Sequence, residues 1–347
     1  MPNANHADKS VWNTNAGDHR PIYIRWLISL WCNYNCHYCF QRTRNRKISY
    51  IKHYQLLRYP SLLKRFVTNF GHTHSHAFDN YRPQQWVESF SALSPRGVSI
   101  TITGGEPFLD RKNFYILLKN LCEMEHIKCI RIDTNGFWSP EKYAGINWDK
   151  IELNISFHPT MISADKFIEN IKEKKGAGIN VGMVNFVLHH KQIEDFFVIK
   201  NALERIDVFT NVNVYTGPDK QTDEMLEIYS QLLPEIDFQL KSHTKNSKGH
   251  LCAYPVYAYS LDPMGIISVG CFPQKSGHFV KNNLPERFLK QTPCPNSFCN
   301  CLDMYSFSSL TNRAINYDIL ANYVRSCINH RKSSLDTVAN EEISDRY

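Results

Sequence analysis

The sequence predicts an α/β fold: a partial (β/α)6 TIM-type barrel of six alternating strands and helices, followed by a small cysteine-rich C-terminal module. Three observations predict it. Runs of β-branched and aromatic residues alternate with amphipathic stretches between residues 23 and 233. The turns after the first four runs carry unusual residues. Eight of the eleven cysteines fall into two tight clusters, three within 32–39 and five within 252–301.

The elements follow in order. Tyr23–Ser29 is a β-branched and aromatic strand that leads into the first cysteine cluster. Residues 41–82 form an irregular, basic, partly helical insertion. A helix starts at Pro83, where proline suits the first turn, and runs to Leu93. Val98–Thr103 is the second strand. The helix over Asn113–Met124 sets Phe114, Leu117, Leu118 and Leu121 on one face. Cys129–Asp133 and Ile151–Ser156 are strands three and four, with a helix over Ala164–Lys175. Asn180–Leu188 and Val208–Tyr215 are strands five and six. Helices over Ile193–Arg205 and Thr222–Leu233 follow them.

Length and composition set outer bounds. The chain has 347 residues, 42% of them hydrophobic and 13% aromatic, enough for one large domain with an appendage. Residues 1–20 read as a flexible tail, 21–240 as the core domain, 241–305 as the module and 306–347 as a C-terminal helix and polar tail. No apolar run is long enough to span a bilayer, and the N-terminal stretch lacks the apolar centre of a secretory signal. Eleven cysteines without a signal argue for metal binding in a reducing cytoplasm rather than for a disulfide framework. The formal net charge is +7, much of it between Arg42 and Arg65. That stretch reads as a solvated surface or a funnel for an anionic substrate in preference to a nucleic-acid face.

Cys32, Cys36 and Cys39 are spaced C-x3-C-x2-C, and the next cysteine is Cys122. Three thiolates on one loop would hold three irons of a [4Fe–4S] cluster and leave the fourth iron open, and an open position on a metal means chemistry. The competing reading is a structural zinc site with His37 as fourth ligand. A zinc site normally draws a second ligand pair from a distance, and His37 sits strained between Cys36 and Cys39. After strand two comes Gly104-Gly105-Glu106-Pro107: two residues that permit close backbone approach, then a carboxylate fit for an ammonium group. Thr134-Asn135-Gly136 follows strand three, and Ser156-Phe157-His158-Pro159 ends strand four. All four motifs therefore meet at the C-terminal ends of the strands, where βα barrels build their active sites. Asn135 and His158 also admit plain turn chemistry.

The cysteine loop, with Tyr38 just before its last cysteine, and the Gly-Gly-Glu-Pro turn resemble the signatures of the radical S-adenosylmethionine (radical SAM) enzymes. The resemblance implies that Cys32, Cys36 and Cys39 hold a catalytic [4Fe–4S] cluster whose open iron is chelated by S-adenosyl-L-methionine. It further implies that Gly104, Gly105, Glu106 and Pro107 receive the methionine amino group of that cofactor. Asn135 and Ser156 would lie beside it, Tyr38 would offer its backbone near the adenine, and His158 would face cofactor or substrate. Val181–Leu188 resembles the segment that packs on adenine, and His189 and His190 follow it. A reducing partner such as flavodoxin or ferredoxin is implied. His72, His74 and His76 alternate in the insertion; a solvated loop is preferred there to a metal site.

Cys252, Cys271, Cys294, Cys299 and Cys301 form the second cluster, with Gly265 in a turn between the first two. The pattern resembles the auxiliary iron–sulfur modules called SPASM and twitch domains. The gap after Gly265 is one residue longer than in that pattern, and C-x4-C-x-C replaces its C-x2-C. The resemblance implies a small C-terminal iron–sulfur module with one further [4Fe–4S] cluster, for which five cysteines compete; a zinc site from the same thiolates is the alternative. Cys122, Cys129 and Cys327 read as core thiols. The expected function is hydrogen abstraction from a small-molecule substrate, giving a two-electron oxidation or rearrangement. Alternatives are maturation of a ribosomal peptide, a viperin-like nucleotide enzyme (suggested by Cys-Asn-Tyr-Asn-Cys and Gly-Gly-Glu-Pro-Phe-Leu), and a non-catalytic zinc protein that binds nucleic acid. The short N-terminal extension leaves little room for the peptide-binding domain that peptide maturases often carry.

Overall fold

Strand-forming runs and amphipathic helices assemble as the pattern dictates. The structure is a computed structural model that describes residues 21–34, 36, 76–188, 193–214, 248–249, 251–252, 254–270 and 272–295. Among them, β1 (Ile22–Ser29), β2 (Val98–Gly104), β3 (Ile127–Thr134), β4 (Ile151–Phe157), β5 (Val181–Leu188) and β6 (Phe209–Val214) lie side by side in chain order, all parallel. Helices α2 (Pro83–Ser91), α3 (Arg111–Glu123), α4 (Ala164–Gly176) and α5 (Ile193–Glu204) supply four of the five crossovers, and two short 3-10 turns, Pro140–Tyr143 and Trp148–Lys150, span β3 to β4. Each expected strand and helix within the described residues is present, with ends displaced by one or two residues. The sixth helix, expected over Thr222–Leu233, lies outside them.

The strands alternate strictly, and the two faces differ in chemistry. One face carries Ile24, Trp26, Ile100, Ile102, Ile130, Ile132, Leu153, Ile155, Val184 and Phe186, all buried. The helices pack on this face through Trp86, Phe90, Phe114, Leu117, Leu118, Leu121, Phe167, Ile171, Phe196 and Ile199. Trp26 meets Trp86 at 4.6 Å between ring centroids, and Phe108 stacks on Trp138 at 4.1 Å. The predicted apolar face of α3 is thus the one that is buried.

The opposite face is polar: Ser99 and Thr101 on β2, Arg131 and Asp133 on β3, Glu152 and Asn154 on β4, Asn185 on β5 and Asn211 on β6. Buried polar atoms need partners, and here they find one another. Arg131 Nε donates to Asp133 Oδ1 at 2.9 Å, and Asn154 Nδ2 donates to the same oxygen at 2.7 Å. Asn185 Nδ2 donates to Asn154 Oδ1 at 2.7 Å, and Asn211 Nδ2 donates to Asn185 Oδ1. A carboxylate only accepts, so Asp133 fixes which way Asn154 faces, and each amide fixes the next. The ladder crosses four strands with one hydrogen-bond direction.

Three later strands join this sheet. β8 (Ala258–Leu261) pairs parallel with β1, Tyr23 opposite Ala258 and Trp26 opposite Leu261. β9 (Ile266–Val269) and β10 (Phe272–His278) add antiparallel strands beyond it, giving nine strands in the order β10-β9-β8-β1-β2-β3-β4-β5-β6. Gly265 makes the β8–β9 turn with φ +83, the hairpin glycine read from the sequence. His278 covers it: a Cβ at Gly265 would lie 2.7 Å from His278 Cε1. Tyr81 Oη sits 2.9 Å from His278 Nε2, tying the hairpin to the segment before α2. β8, β9 and β10, which fall within the stretch read from the sequence as a module, extend the core sheet. A separate two-stranded ribbon joins β7 (Leu251–Cys252) and β11 (Thr292–Pro293).

His76 departs from expectation. It is buried, with 6% exposure, and caps α1 (Ala77–Asn80), its Nδ1 accepting from Phe78 N at 3.3 Å, so a solvated loop is wrong for this histidine. His72 and His74 lie outside the described residues. No helix among the described residues is long and apolar enough to cross a membrane.

Replacing Asn154 by leucine breaks the ladder and leaves both Asp133 and the Asn185 amide short of a partner. We expect a loss of about 1–3 kcal/mol in denaturant-induced unfolding. An Asn154→Leu protein as stable as the parent would mean the ladder is open to water.

Candidate metal and cofactor site

The site begins where β1 ends. Ser29 pairs with Gly104 at the last rung of β1 and β2, and the chain then turns into Trp31, Cys32, Asn33 and Tyr34. Gly105 N donates to Ser29 O at 2.8 Å and Glu106 N to Trp31 O at 2.7 Å. This close approach explains the glycines. A Cβ on Gly104 would stand 2.3 Å from Ser29 O, and one on Gly105 would stand 1.7 Å from Trp31 O. Gly104 also has φ +141. Their described neighbour is thus the backbone entering the cysteine loop.

Glu106 turns its side chain inward and is 2% exposed. Oε1 accepts from Phe108 N at 3.1 Å and from the Thr134 hydroxyl at 2.7 Å, and Oε2 accepts from Asn135 N at 2.7 Å. Three donors leave about one of four lone-pair positions for an ammonium group. Burial pushes its pKa up to about 7, against the pull of these hydrogen bonds and of Lys174. Lys174 is itself buried beneath the site, donating to Trp138 O at 3.0 Å and to Asn170 Oδ1, and burial lowers its pKa to about 8. Pro107 is buried at the start of the short turn of 3-10 helix Pro107–Leu109.

Asn135 carries the link back to the cysteines. Its Oδ1 accepts from Phe137 N at 2.9 Å, which turns Nδ2 toward the loop. Nδ2 donates to Asn33 Oδ1 at 2.7 Å and reaches Cys32 Sγ at 3.8 Å. Cys32 Sγ also receives Tyr34 N at 3.4 Å. Cys36 is buried, and its Sγ lies 3.4 Å from His158 Nδ1, just past the end of β4. The Tyr34 ring stands between these groups, 6.1 Å from Phe137 and edge-on to His158 at 5.6 Å. Burial and then the charges of Glu106, Cys36 and Cys32 raise the Tyr34 pKa to about 12. Burial lowers that of His158 to about 4. Trp31 and Phe137 remain exposed at the rim.

Of the residues singled out in the sequence, the structure brings Cys32, Cys36, Gly104, Gly105, Glu106, Asn135 and His158 into one connected patch at the C-terminal ends of β1 to β4. Ser156 lies on the polar face of β4, in register with Asn185. Tyr38, Cys39, Cys271, Cys299 and Cys301 lie outside the described residues, as do His37, His189 and His190. Thr134, Asn33 and Tyr34, which complete the patch, were not anticipated. Only the threonine beside Asn135 at the strand end hinted at a partner for Glu106.

In the second cysteine cluster, β7 and β11 pair with Thr292 opposite Cys252. Cys294 lies two residues beyond Thr292, and Gly249 N donates to Cys294 O at 2.9 Å. Cys252 in β7 and Cys294, one residue past β11, thus lie on adjoining stretches of chain. Among the described residues no group of three potential ligands forms a metal site. Cys122 and Cys129 are buried in the protein interior as expected, and burial raises the Cys122 pKa to about 11.

The sulfurs of Cys32 and Cys36 thus have nitrogen groups of the loop, β3 and β4 around them. Metal-bound thiolate only accepts hydrogen bonds, and such an environment suits it. The sequence profile of the Radical SAM superfamily matches residues 26–197, spanning this whole patch. The match spans just under half of the chain. Solved structures that resemble it include Streptococcus suis SuiB bound to S-adenosylmethionine, with 16% identity and a TM-score of 0.48 over 76% of this chain. The chain covers 62% of SuiB. Native anSMEcpe with bound AdoMet is 13% identical, with a TM-score of 0.47 over 75% of this chain and 78% of that one. BtrN in complex with AdoMet and 2-DOIA is 14% identical, with a TM-score of 0.33 over the same shares of the two chains. No curated protein matches the sequence.

Two outcomes test the site. In Gly105→Ala the new methyl group collides with the Trp31 carbonyl, so the loop must move. We expect a stability loss of at least about 2 kcal/mol and a fall in metal bound per chain, read by unfolding and metal analysis. Glu106 has its folded-state pKa raised above the unfolded value of 4.5. In the metal-free chain the stability that Glu106 contributes is therefore fully present below pH 4.5, and roughly 3 kcal/mol of it is lost as pH rises to about 7. This slope should vanish in Glu106→Gln; an equal slope in both proteins would place the titration elsewhere.

Proposed function

We propose that the chain is an enzyme that binds a [4Fe–4S] cluster through Cys32, Cys36 and Cys39 and cleaves S-adenosyl-L-methionine to act on a small polar molecule. The observation that carries this is the donor cage around Cys32 and Cys36, next to a buried carboxylate, within the stretch that matches the Radical SAM superfamily. Cys32, Cys36 and Cys39 would hold the cluster, which would supply the electron for reductive cleavage of the cofactor's sulfonium and so the means to abstract a hydrogen atom from the substrate. The chain's own residues orient and enclose. Glu106, held by Thr134 and Asn135, offers its remaining lone pair to the methionine ammonium. Gly104 and Gly105 set the distance between that carboxylate and the cysteine loop. Ser156 lies on the same side for the ribose or carboxylate of the cofactor.

Strands in chain order with helices on one face follow from right-handed crossovers that always advance the same way. This supports a partial (β/α)6 barrel whose polar face is the interior. The ladder from Asp133 to Asn211 supports a polar, hydrogen-bonding substrate over an apolar one. A two-electron oxidation or rearrangement is the proposed outcome, with flavodoxin or ferredoxin as the class of reductant. The adjoining of Cys294 to the ribbon that carries Cys252, with Gly265 in the hairpin between Cys252 and Cys271, supports an auxiliary SPASM- or twitch-like [4Fe–4S] site with Cys294 among its ligands.

Anaerobic reconstitution with iron and sulfide tests the proposal, followed by dithionite, S-adenosylmethionine and assay of 5′-deoxyadenosine. About eight irons per chain with cleavage would support both clusters. About four irons with cleavage keep the enzyme and remove the auxiliary cluster. Zinc in place of iron and no cleavage overturn the reading. Cys36→Ala should abolish cleavage and lower iron by about four per chain.

A further inference from the structure

We infer that His158 is a positioning residue that donates its Nδ1 hydrogen to the sulfur of Cys36 and so sets the reduction potential of the cluster held there. The inference rests on the proposed cluster. It concerns a residue that sequence reasoning could assign only to cofactor, substrate or a simple turn.

The geometry is specific. His158 Nδ1 lies 3.4 Å from Cys36 Sγ, across 122 residues of sequence. The backbone around it is fixed, since the His158 carbonyl accepts from Met161 N at 2.8 Å and from Ile162 N at 3.2 Å. Its ring plane is set by Tyr34, which meets it edge-on at 5.6 Å and 89°. The imidazole is thus aimed at the sulfur from both sides. Cys36 is 4% exposed, so water contributes little to the solvation of its sulfur. A buried thiolate without donors is costly, and a nearby N–H offsets that cost.

The chemistry then chooses the tautomer. A thiol could give its own hydrogen to Nδ1, but an iron-bound thiolate has none to give. The contact can persist only with the hydrogen on Nδ1, leaving Nε2 as the lone-pair nitrogen. A donor to a ligand sulfur stabilises the more negative state of a cluster more than the less negative one. It therefore raises the reduction potential. Cys32 has its own donors in Tyr34 N and Asn135 Nδ2. Those come from backbone and amide, whereas the Cys36 contact is a side chain that can be exchanged without touching the loop.

Redox titration of the reconstituted protein, followed by electron paramagnetic resonance, tests this. His158→Phe removes the donor and keeps a flat ring. We expect the reduction equilibrium to shift roughly tenfold, a fall of about 59 mV for a one-electron couple. His158→Asn sets an amide N–H where Nδ1 stood and should restore at least half of that shift. His158→Gln sets its amide on the Nε2 side and should behave like the phenylalanine variant. If the phenylalanine protein fails to take up iron, the asparagine–glutamine comparison decides. An unchanged potential in His158→Phe, or equal potentials in the asparagine and glutamine proteins, overturns the inference. So does strong nitrogen coupling in the wild-type spectrum, which would make His158 a ligand of the iron. A protein that binds a cluster and cleaves S-adenosylmethionine while showing no potential shift loses only this inference. A protein that takes up no cluster loses the proposed function with it.

Discussion

Glu106 joins three segments that are far apart in sequence. Its carboxylate takes hydrogen bonds from Phe108, Thr134 and Asn135, and its own amide reaches the carbonyl of Trp31. Through these bonds the ends of β2 and β3 and the start of the cysteine loop share one frame. Hydrogen bonds to a charged acceptor are worth ~1.5–3 kcal/mol each, and their total opposes the cost of burying the carboxylate. Burial outweighs them, and the pKa is pushed up to about 7. A carboxylate poised in this way responds to a cation at its open lone pair, the chemistry an ammonium-bearing cofactor brings.

The glycines before it work in the same frame. With no Cβ at 104 and 105, the loop backbone packs directly on the strand end, and Cys32 begins its turn from a fixed point. Asn135 then continues the frame outward, because Phe137 N pins its oxygen and leaves its nitrogen facing Asn33 and Cys32. Precision at the sulfurs is inherited from buried bonds several residues away. Sites held by rigid strand ends gain their accuracy in this manner.

The sheet's two faces divide the labour. Apolar residues at alternate positions take the helices, and this burial supplies most of the drive to fold. The remaining positions hold a polar ladder whose direction Asp133 determines. Such a network costs stability if any member is left unpaired, so it specifies register as well as polarity. Beyond β1 the hairpin of β8 and β9 extends the same sheet, whereas Cys252 lies in the separate ribbon of β7 and β11.

Much of this was legible in the chain. Runs of β-branched and aromatic residues marked the strands, and Phe114, Leu117, Leu118 and Leu121 gave α3 its face. Local periodicity suffices there because burial acts residue by residue. The spacing of Cys32, Cys36 and Cys39 and the turn at Gly104–Pro107 carry their chemistry within a few residues, so the sequence by itself determined the class of site. It did not determine partners distant in sequence. That Thr134 holds Glu106, that His158 faces Cys36, that Asn154, Asn185 and Asn211 join in one ladder, and that β8 lies beside β1 depend on strand register. Register is fixed only when all the crossovers pack together, because each hydrogen bond across strands requires two chain segments to be placed at once.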